Sequence, residues 1–274
     1  DRLCAEMAHV GVERLGAGDR EEHRAQGDER DHRLVHHEAQ GMARVDRAAW
    51  NAIANPPGKS SDPFLDWDFI EACEASGCAA PDTGWEPRHI LAHDARGRLV
   101  GGAPLYFKSH SRGEFVFDHS WADALHRAGG RYYPKLLCAV PFTPVTGRRL
   151  LAAGPHAASI RRTLARAIVE TAADAKVSSA HFNFLQEDEW RTLGEDGLLL
   201  REDQQFHWIN RGYKTFDDFL AALASRKRKM LKRERREAQK GLAIERVTGA
   251  ELTDEHWDAF FHFYMDTGGR KWGS

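Results

Sequence analysis

"RHILAHDARGRLVGGAPLYFKS" (residues 88–109) is the stretch on which the fold turns, because it admits two readings. Residues 98–103, "RLVGGA", fit R-x-x-G-x-A, a pattern that holds a pyrophosphate when a glycine turn opens a helix and presents free backbone N–H groups. The surrounding residues argue otherwise. Apolar residues flank the turn formers Ala95–Arg96–Gly97, Pro104 follows the pattern, and no helix begins there. The stretch therefore reads as two strands around a tight turn.

Outward from this hairpin, strand and helix patterns alternate. Toward the N-terminus, "SSDPFLDWDFIEACEASG" (60–77) reads as a helix with Asp62 as N-cap, Pro63 at the first position and Gly77 as its stop. Toward the C-terminus, "GEFVFD" (113–118) reads as a strand and "SWADALHRAG" (120–129) as a short helix. "KLLCAVPF" (135–142) reads as a buried strand, 156–176 as an amphipathic helix, and "SSAHFNFL" (178–185) as an alternating strand. A short helix follows, and 198–212 reads as a long strand or hairpin arm. A long helix is expected from Thr215 to about Gln239, then a strand over 242–249 and a helix over 253–268 capped by Thr253. The fold class is α/β, with an α+β mixed sheet.

The 274 residues suit one large domain or two of roughly 100–150 residues. Hydrophobic content of 42% and eight Trp support a real core. No run of about 18 apolar residues predicts a transmembrane helix, and no basic-then-apolar leader predicts secretion. Cys4, Cys73, Cys78 and Cys138 are scattered without a C-x-x-C pair, which reads as free thiols in a reducing, cytoplasmic setting rather than a metal site.

Residues 1–41 differ from the rest: they contain no Lys, Ser, Thr, Asn, Pro, Ile or aromatic residue. Such a segment is expected to be disordered or foreign to the fold, with Met42 as the start of ordinary sequence. His32 and His36 have the i, i+4 spacing of metal ligands, but they lie in this segment, and no metal is expected.

The block 117–147 carries the chemistry-bearing loop residues, among them Asp118, His119, Trp121, Asp123, Arg131, Tyr132, Tyr133 and Lys135. Of these, Asp118, Asp123, Tyr132 and Tyr133 are the candidates for acid or base work. The chain has no P-loop, dinucleotide fingerprint, nucleophile elbow or H-E-x-x-H motif. "SRKRKMLKRERREAQKGL" (225–242) sets nine cations between Arg226 and Lys240 in a chain of net charge −2. On a helix, Arg226, Lys229, Arg233, Arg236 and Lys240 form one ridge, broadened by Lys227 and Lys232. Arg226, Lys227, Lys229, Lys232 and Arg233 are the candidate phosphate-binding residues.

Long phrases then carry a resemblance: "GWEPRHILAHDARGRLVGGAPLYFKSHSRGEFVFDHSWADA", "RYYPKL", "AVPFTPVTG", "FHWINRGYKTFDDFLAALASRKRKMLKRERR" and "HWDAFFHFYMDTGGRKWG". Over about residues 60–273 the chain resembles the FemAB-like family of peptidoglycan biosynthesis/recognition proteins, which are N-acyltransferases of the GNAT superfamily. The resemblance implies a tandem GNAT-like fold, with a first domain over 42–212 and the start of a second over 213–274. That second unit would be incomplete here, and catalysis by this stretch alone is then not expected. The implied activity is transfer of an acyl or aminoacyl group to an amine of a cell-wall precursor or small metabolite. The implied co-substrate is acyl-CoA or aminoacyl-tRNA, with no tightly bound cofactor and no DNA partner. The alternative is a non-catalytic module of the same fold that binds an anionic glycan precursor or RNA.

Overall fold

The computed structural model describes residues 5–15 and 35–272. Contacts divide the chain at His207/Trp208. In the larger unit the elements run β1 (Ala5–Leu15), β2 (Val35–Ala39), α1 (Arg47–Ala54), α2 (Trp67–Ala75), β3 (Trp85–Pro87), β4 (His89–His93), β5 (Leu99–Ala103) and β6 (Leu105–Lys108). They continue as α3 (His119–Arg127), β7 (Lys135–Cys138), β8 (Leu151–Ala152), α4 (Ala157–Asp174), β9 (Ser179–Phe182), α5 (Glu187–Glu195) and β10 (Leu199–Phe206). One sheet has the order β10-β1-β9-β7-β6-β3 and the other β2-β4-β5-β8. β7 and β9 are parallel and the other pairings antiparallel, so the fold is a mixed α+β architecture.

The hairpin forms as the sequence predicts. Ile90 faces Ala103 and Leu91 faces Gly102 across β4 and β5. Its turn is fastened by Asp94, whose side chain accepts from the backbone N–H groups of Arg96 and Arg98, while Gly97 takes a φ of 75°. The R-x-x-G-x-A glycines serve packing. A Cβ on Gly101 would lie 2.5 Å from Ile160 of α4, and one on Gly102 would lie 2.8 Å from the Trp50 ring of α1. Helices thus cover both faces of this sheet at close range. One core gathers Trp50, Ile53, Leu65, Ile70, Leu91 and Leu151; the other gathers Ile90, Leu105, Leu136, Leu164, Ile168 and Phe182.

The second arm of the hairpin is not one strand. Pro104 has no N–H to donate, and its carbonyl accepts from Ala139 N at 3.2 Å. There the chain leaves one sheet, and β6 enters the other between β3 and β7. Residues 113–118, expected as a strand, form a loop instead. Gly113 and Phe115 adopt φ values of 80° and 56°, which extended pairing forbids. The first turn after Asp62 is a short 3-10 turn, and α2 proper begins after the cap Asp66.

Residues 1–41 also depart from expectation where they are described. β1 pairs with both β9 and β10, and β2 pairs with β4 along Val35–Ala39. Backbone pairing satisfies the N–H and C=O groups of both strands. Ala39 is buried, and Met42, fully buried, donates its backbone N–H to Glu74 Oε2 at 2.7 Å. His32 lies outside the described residues, and His36 is exposed.

In the smaller unit the expected long helix is two helices, α6 (Phe216–Ala221) and α7 (Ser225–Ala238). Ala224, at φ −54° and ψ 143°, breaks the helical run. α6 is fixed by Thr215 and Asp218 in a reciprocal cap and by packing of Phe219 on Trp208 and Tyr213. Arg228 donates to the Ala221 carbonyl, satisfying the end of α6. The strand expected over 242–249 does not form. Leu242 and Ile244 are 65% and 68% exposed, and no strand pairs with them among the described residues. α8 (Asp254–Trp272) follows.

The glycine packing yields a direct stability test. Gly102→Ala should cost about 1–3 kcal/mol by overpacking against the Trp50 ring. Gly268→Ala, with nothing within 4 Å of the new methyl, should be neutral or stabilising. Urea denaturation of both variants checks the contrast; equal effects would refute close packing at Gly102.

Candidate functional site

The antiparallel register of β6 and β7 makes Lys108 and Lys135 direct cross-strand partners. Both are fully buried. Like charges in this position repel, and each buried ammonium carries a desolvation cost. The protein treats the two amines differently.

Lys135 Nζ donates to Glu114 Oε2 at 2.9 Å, Asp118 Oδ2 at 2.7 Å and Ser111 Oγ at 2.9 Å. Burial opposes its charge, but Glu114 and Asp118 hold its pKa above the ordinary lysine value. Burial likewise opposes ionisation of Asp118. The nearby Lys135 and the donors Ser111 and Tyr132 outweigh it and hold this carboxyl below its usual range. Glu114 is raised, because burial outweighs the pull of Lys135.

Lys108 has no carboxylate within ion-pair distance among the described residues. Its Nζ lies 3.6 Å from the centre of the Trp85 ring and donates to the Arg112 carbonyl at 3.3 Å. Burial pushes this amine down to about 7, against the attraction of Glu114 and with the repulsion of Lys135.

The loop 109–118 supplies Ser111, Glu114 and Asp118 and closes the cluster. Ser111 Oγ meets Asp118 Oδ2 at 3.0 Å and Tyr133 OH at 2.7 Å, and Tyr132 OH donates to Asp118 Oδ2 at 2.9 Å. Tyr133 is half-buried and leads toward the surface. Two acceptors are left over: Glu114 Oε1 and Asp118 Oδ1 are buried without a hydrogen-bond partner among the described residues. Phe115 and Phe142 hold φ values of 56° and 57° with exposed rings, a strained arrangement typical of ligand-handling loops. Trp121, with Ser120, Ala124 and Leu125, lines an apolar cleft of about 310 Å³ that reaches Tyr132.

Of the residues singled out from sequence, Asp118, Tyr132 and Tyr133 therefore converge. Asp123 does not: it is exposed on α3. Lys108, Ser111 and Glu114 escaped sequence reasoning, and Lys135 was noted without a role. Their trace was a lysine at the end of "LYFK" and another at the start of "KLLC", each a charge inside an apolar strand. Arg226, Lys227, Lys229, Lys232 and Arg233 all lie exposed on α7. Lys232 pairs with Asp217 at 3.1 Å, and the other four have no ion pair among the described residues.

Two other polar groups, the half-buried Glu74 and the buried Glu189, are satisfied and brace the fold. Glu74 accepts from Met42 N, His89 Nε2 and Tyr106 OH. Glu189 accepts the backbone N–H groups of Arg149 and Leu150, each at 3.0 Å, and burial raises it to about 7. Among the described residues, no cluster of three His, Cys, Asp or Glu is placed for a metal, and no helix is long and apolar enough to cross a membrane.

The loop with these positive φ values thus closes over four buried ionisable side chains, Lys108, Lys135, Glu114 and Asp118. The FemAB-like family, described as peptidoglycan biosynthesis/recognition, matches residues 41–274, and the chain belongs to it. No curated protein and no solved structure matches the chain.

Lys135→Met would strand Glu114 and Asp118 as unpaired buried carboxylates and should destabilise by about 3–5 kcal/mol at neutral pH. Without the cation, the folded-state carboxyl pKa values rise above their unfolded values. The deficit should therefore shrink on acidification and grow as pH rises through the carboxyl range. Denaturation midpoints measured from pH 4 to 8 check the sign; a deficit independent of pH would refute the ion-pair role.

Proposed function

We propose that the protein transfers an acyl or aminoacyl group to an amine of a cell-wall precursor. Membership of a peptidoglycan biosynthesis/recognition family supports a cell-wall role. The transfer reading carries with it the tandem GNAT-like architecture over 42–212 and 213–274 and an acyl-CoA or aminoacyl-tRNA donor. The observation that carries it is the hydrogen-bonded chain from half-buried Tyr133 OH through Ser111 Oγ to Lys135 and Asp118. Amide formation needs a proton removed from the amine and a donor for the tetrahedral oxyanion. Ser111 gives its one proton to Asp118, so Tyr133 donates its O–H to Ser111 and its oxygen can accept an N–H of the acceptor amine at the edge of the cluster, while Asp118 holds Ser111 and Tyr132 in place.

The test is mass spectrometry of amine-bearing cell-wall precursors incubated with the purified full-length protein and either acyl-CoA or aminoacyl-tRNA. One donor class should give a mass gain of one acyl group. Tyr133→Phe should lower kcat by about 100-fold with folding intact. No transfer from either class would overturn the reading.

A second reading, a module binding an anionic ligand, is favoured by α7, where Arg226, Lys227, Lys229 and Arg233 stand exposed without ion pairs among the described residues. Replacing Arg226, Lys229 and Arg233 together by Gln keeps helix propensity. It should weaken binding of coenzyme A or tRNA at least tenfold and flatten its salt dependence. Titration at two salt concentrations decides; identical curves would make the ridge a solvated face.

A further inference from the structure

α3 carries an apolar stripe that it does not bury. Trp121, Ala124 and Leu125 share one face at i, i+3 and i+4, the spacing of a stripe that normally packs on a core. Yet none of the residues His119–Arg127 is buried. The stripe instead walls the cleft of about 310 Å³, with Ser120 beside it and Tyr132 closing it from the body. We propose that this cleft seats the chain of the acyl donor: it takes an uncharged aliphatic chain of medium length whose anionic head lies at the rim. The assignment to the donor rests on the transfer reading above.

The helix is anchored at both ends in this position. The N–H groups of Trp121 and Ala122 each donate to the Asp118 carbonyl at 3.0 Å, and Gly130 N–H donates to the Leu125 carbonyl at 2.9 Å. A Cβ on Gly130 would lie 2.7 Å from the Leu125 side chain, so glycine lets the chain leave the helix at close range. Between these anchors the stripe stays open, and Trp121 keeps 44% of its surface exposed. Covering such a stripe with an aliphatic chain removes apolar surface from water on both sides.

Two features choose the occupant. The lining holds no ionised side chain: Trp121, Ala124 and Leu125 are joined by the Ser120 hydroxyl and by Tyr132, whose OH is given to Asp118. The ammonium of an aminoacyl group would lose its water there without gaining a carboxylate, whereas methylenes gain by burial. The rim, by contrast, is cationic. Arg127 stands in the last turn of α3 and Arg131 precedes Tyr132; both are exposed and have no ion pair among the described residues. Arg201 sets its guanidinium 5.3 Å from the centre of the Trp121 ring and donates to the Phe117 carbonyl at 3.4 Å. Asp123, the one acid on the helix, opposes them and is exposed. An apolar interior beside three guanidiniums complements an apolar chain joined to a phosphate-bearing head. The cleft also adjoins the buried cluster: the Tyr132 ring that lines it meets the Tyr133 ring edge-on at 5.1 Å. A chain seated there lies beside Tyr133, the residue at the edge of the cluster. The volume is at the small end of the range for ligand pockets, about 300–1,000 Å³, which suits a medium chain rather than a long one.

The test is a binding series that needs no turnover. S-ethyl-, S-butyl-, S-hexyl- and S-octyl-coenzyme A, thioethers that cannot transfer their chains, are titrated into the purified full-length protein by calorimetry. Each added methylene should tighten binding about two- to fourfold until the cleft is full, so S-octyl should bind at least about tenfold tighter than S-ethyl. A smaller gain overturns the proposal. Ala124→Trp fills the cleft from the helix and should flatten the series, whereas Asp123→Trp, the same ring one position away and outside the cleft, should keep it. A series as steep in Ala124→Trp as in wild type overturns the proposal. Arg127→Gln combined with Arg131→Gln should weaken all four thioethers at least about threefold and keep the steepness; unchanged affinities overturn the placing of the head. If Ala124→Trp does not fold, the Trp121 indole N–H resonance of 15N-labelled wild type is followed instead. It should shift with S-octyl- and not with S-ethyl-coenzyme A, and no difference between the two overturns the proposal. A flat series together with binding of phosphatidylglycerol vesicles would make the stripe a lipid-docking face, which also overturns it. Transfer alongside a flat series overturns the role of the cleft and leaves the transfer reading standing. A steep series without transfer from any donor overturns the transfer reading and the donor role, and leaves the cleft a chain-binding site.

Discussion

Two lysines buried opposite each other on neighbouring strands cannot both be paired by the loop above them. This constraint organises the site. Lys135 takes Glu114, Asp118 and Ser111, so loop 109–118 must fold back over β7 rather than continue as a strand. The positive φ at Phe115 follows from that return path and costs about 1–3 kcal/mol. Three donors on Asp118 Oδ2 and the ion pair to Glu114 offset it. Lys108, left with Trp85 and a carbonyl, becomes the amine of unusual acidity.

The rest of the fold delivers the two lysines to one place. Pro104 ends β5 and turns the chain into the second sheet, where β6 lies between β3 and β7. Had the hairpin arm continued in its first sheet, Lys108 would not meet Lys135. Gly101 and Gly102 let α4 and α1 approach that first sheet closely from both faces. Trp85 closes the arrangement from β3, packed edge-on against Tyr106. The family's link to peptidoglycan supports a cell-wall role, and amine acylation is the activity we propose for it.

Much of this architecture was legible in the sequence. The turn at Ala95–Arg96–Gly97, the helices α3, α4 and α8, and the buried strand of Lys135–Cys138 follow from periodicity and punctuation. Asp118, Tyr132 and Tyr133 were visible as polar and aromatic residues in a loop block. Asp123 shared that composition but sits on the outer side of a helix, a distinction composition does not carry. Lys108 and Glu114 were not legible, because their meaning comes from cross-strand register and from a loop that folds back. The strand expected at 242–249 failed for a related reason: apolar alternation favours a strand only where a partner strand is available. β1 and β2 were missed because they pair with strands far along the chain, β9 and β10 for one and β4 for the other, which the composition of residues 1–41 does not announce.

The central claim is that Lys135 and its two carboxylates stabilise the fold only as a unit. The direct measurement compares the unfolding free energy of Lys135→Met with that of the triple variant Lys135→Met, Glu114→Gln and Asp118→Asn. Removing all three charges abolishes the unpaired buried carboxylates that the single change creates, so the triple variant should be the more stable of the two by about 1–3 kcal/mol. A triple variant less stable than Lys135→Met, with the losses simply adding, would contradict the account.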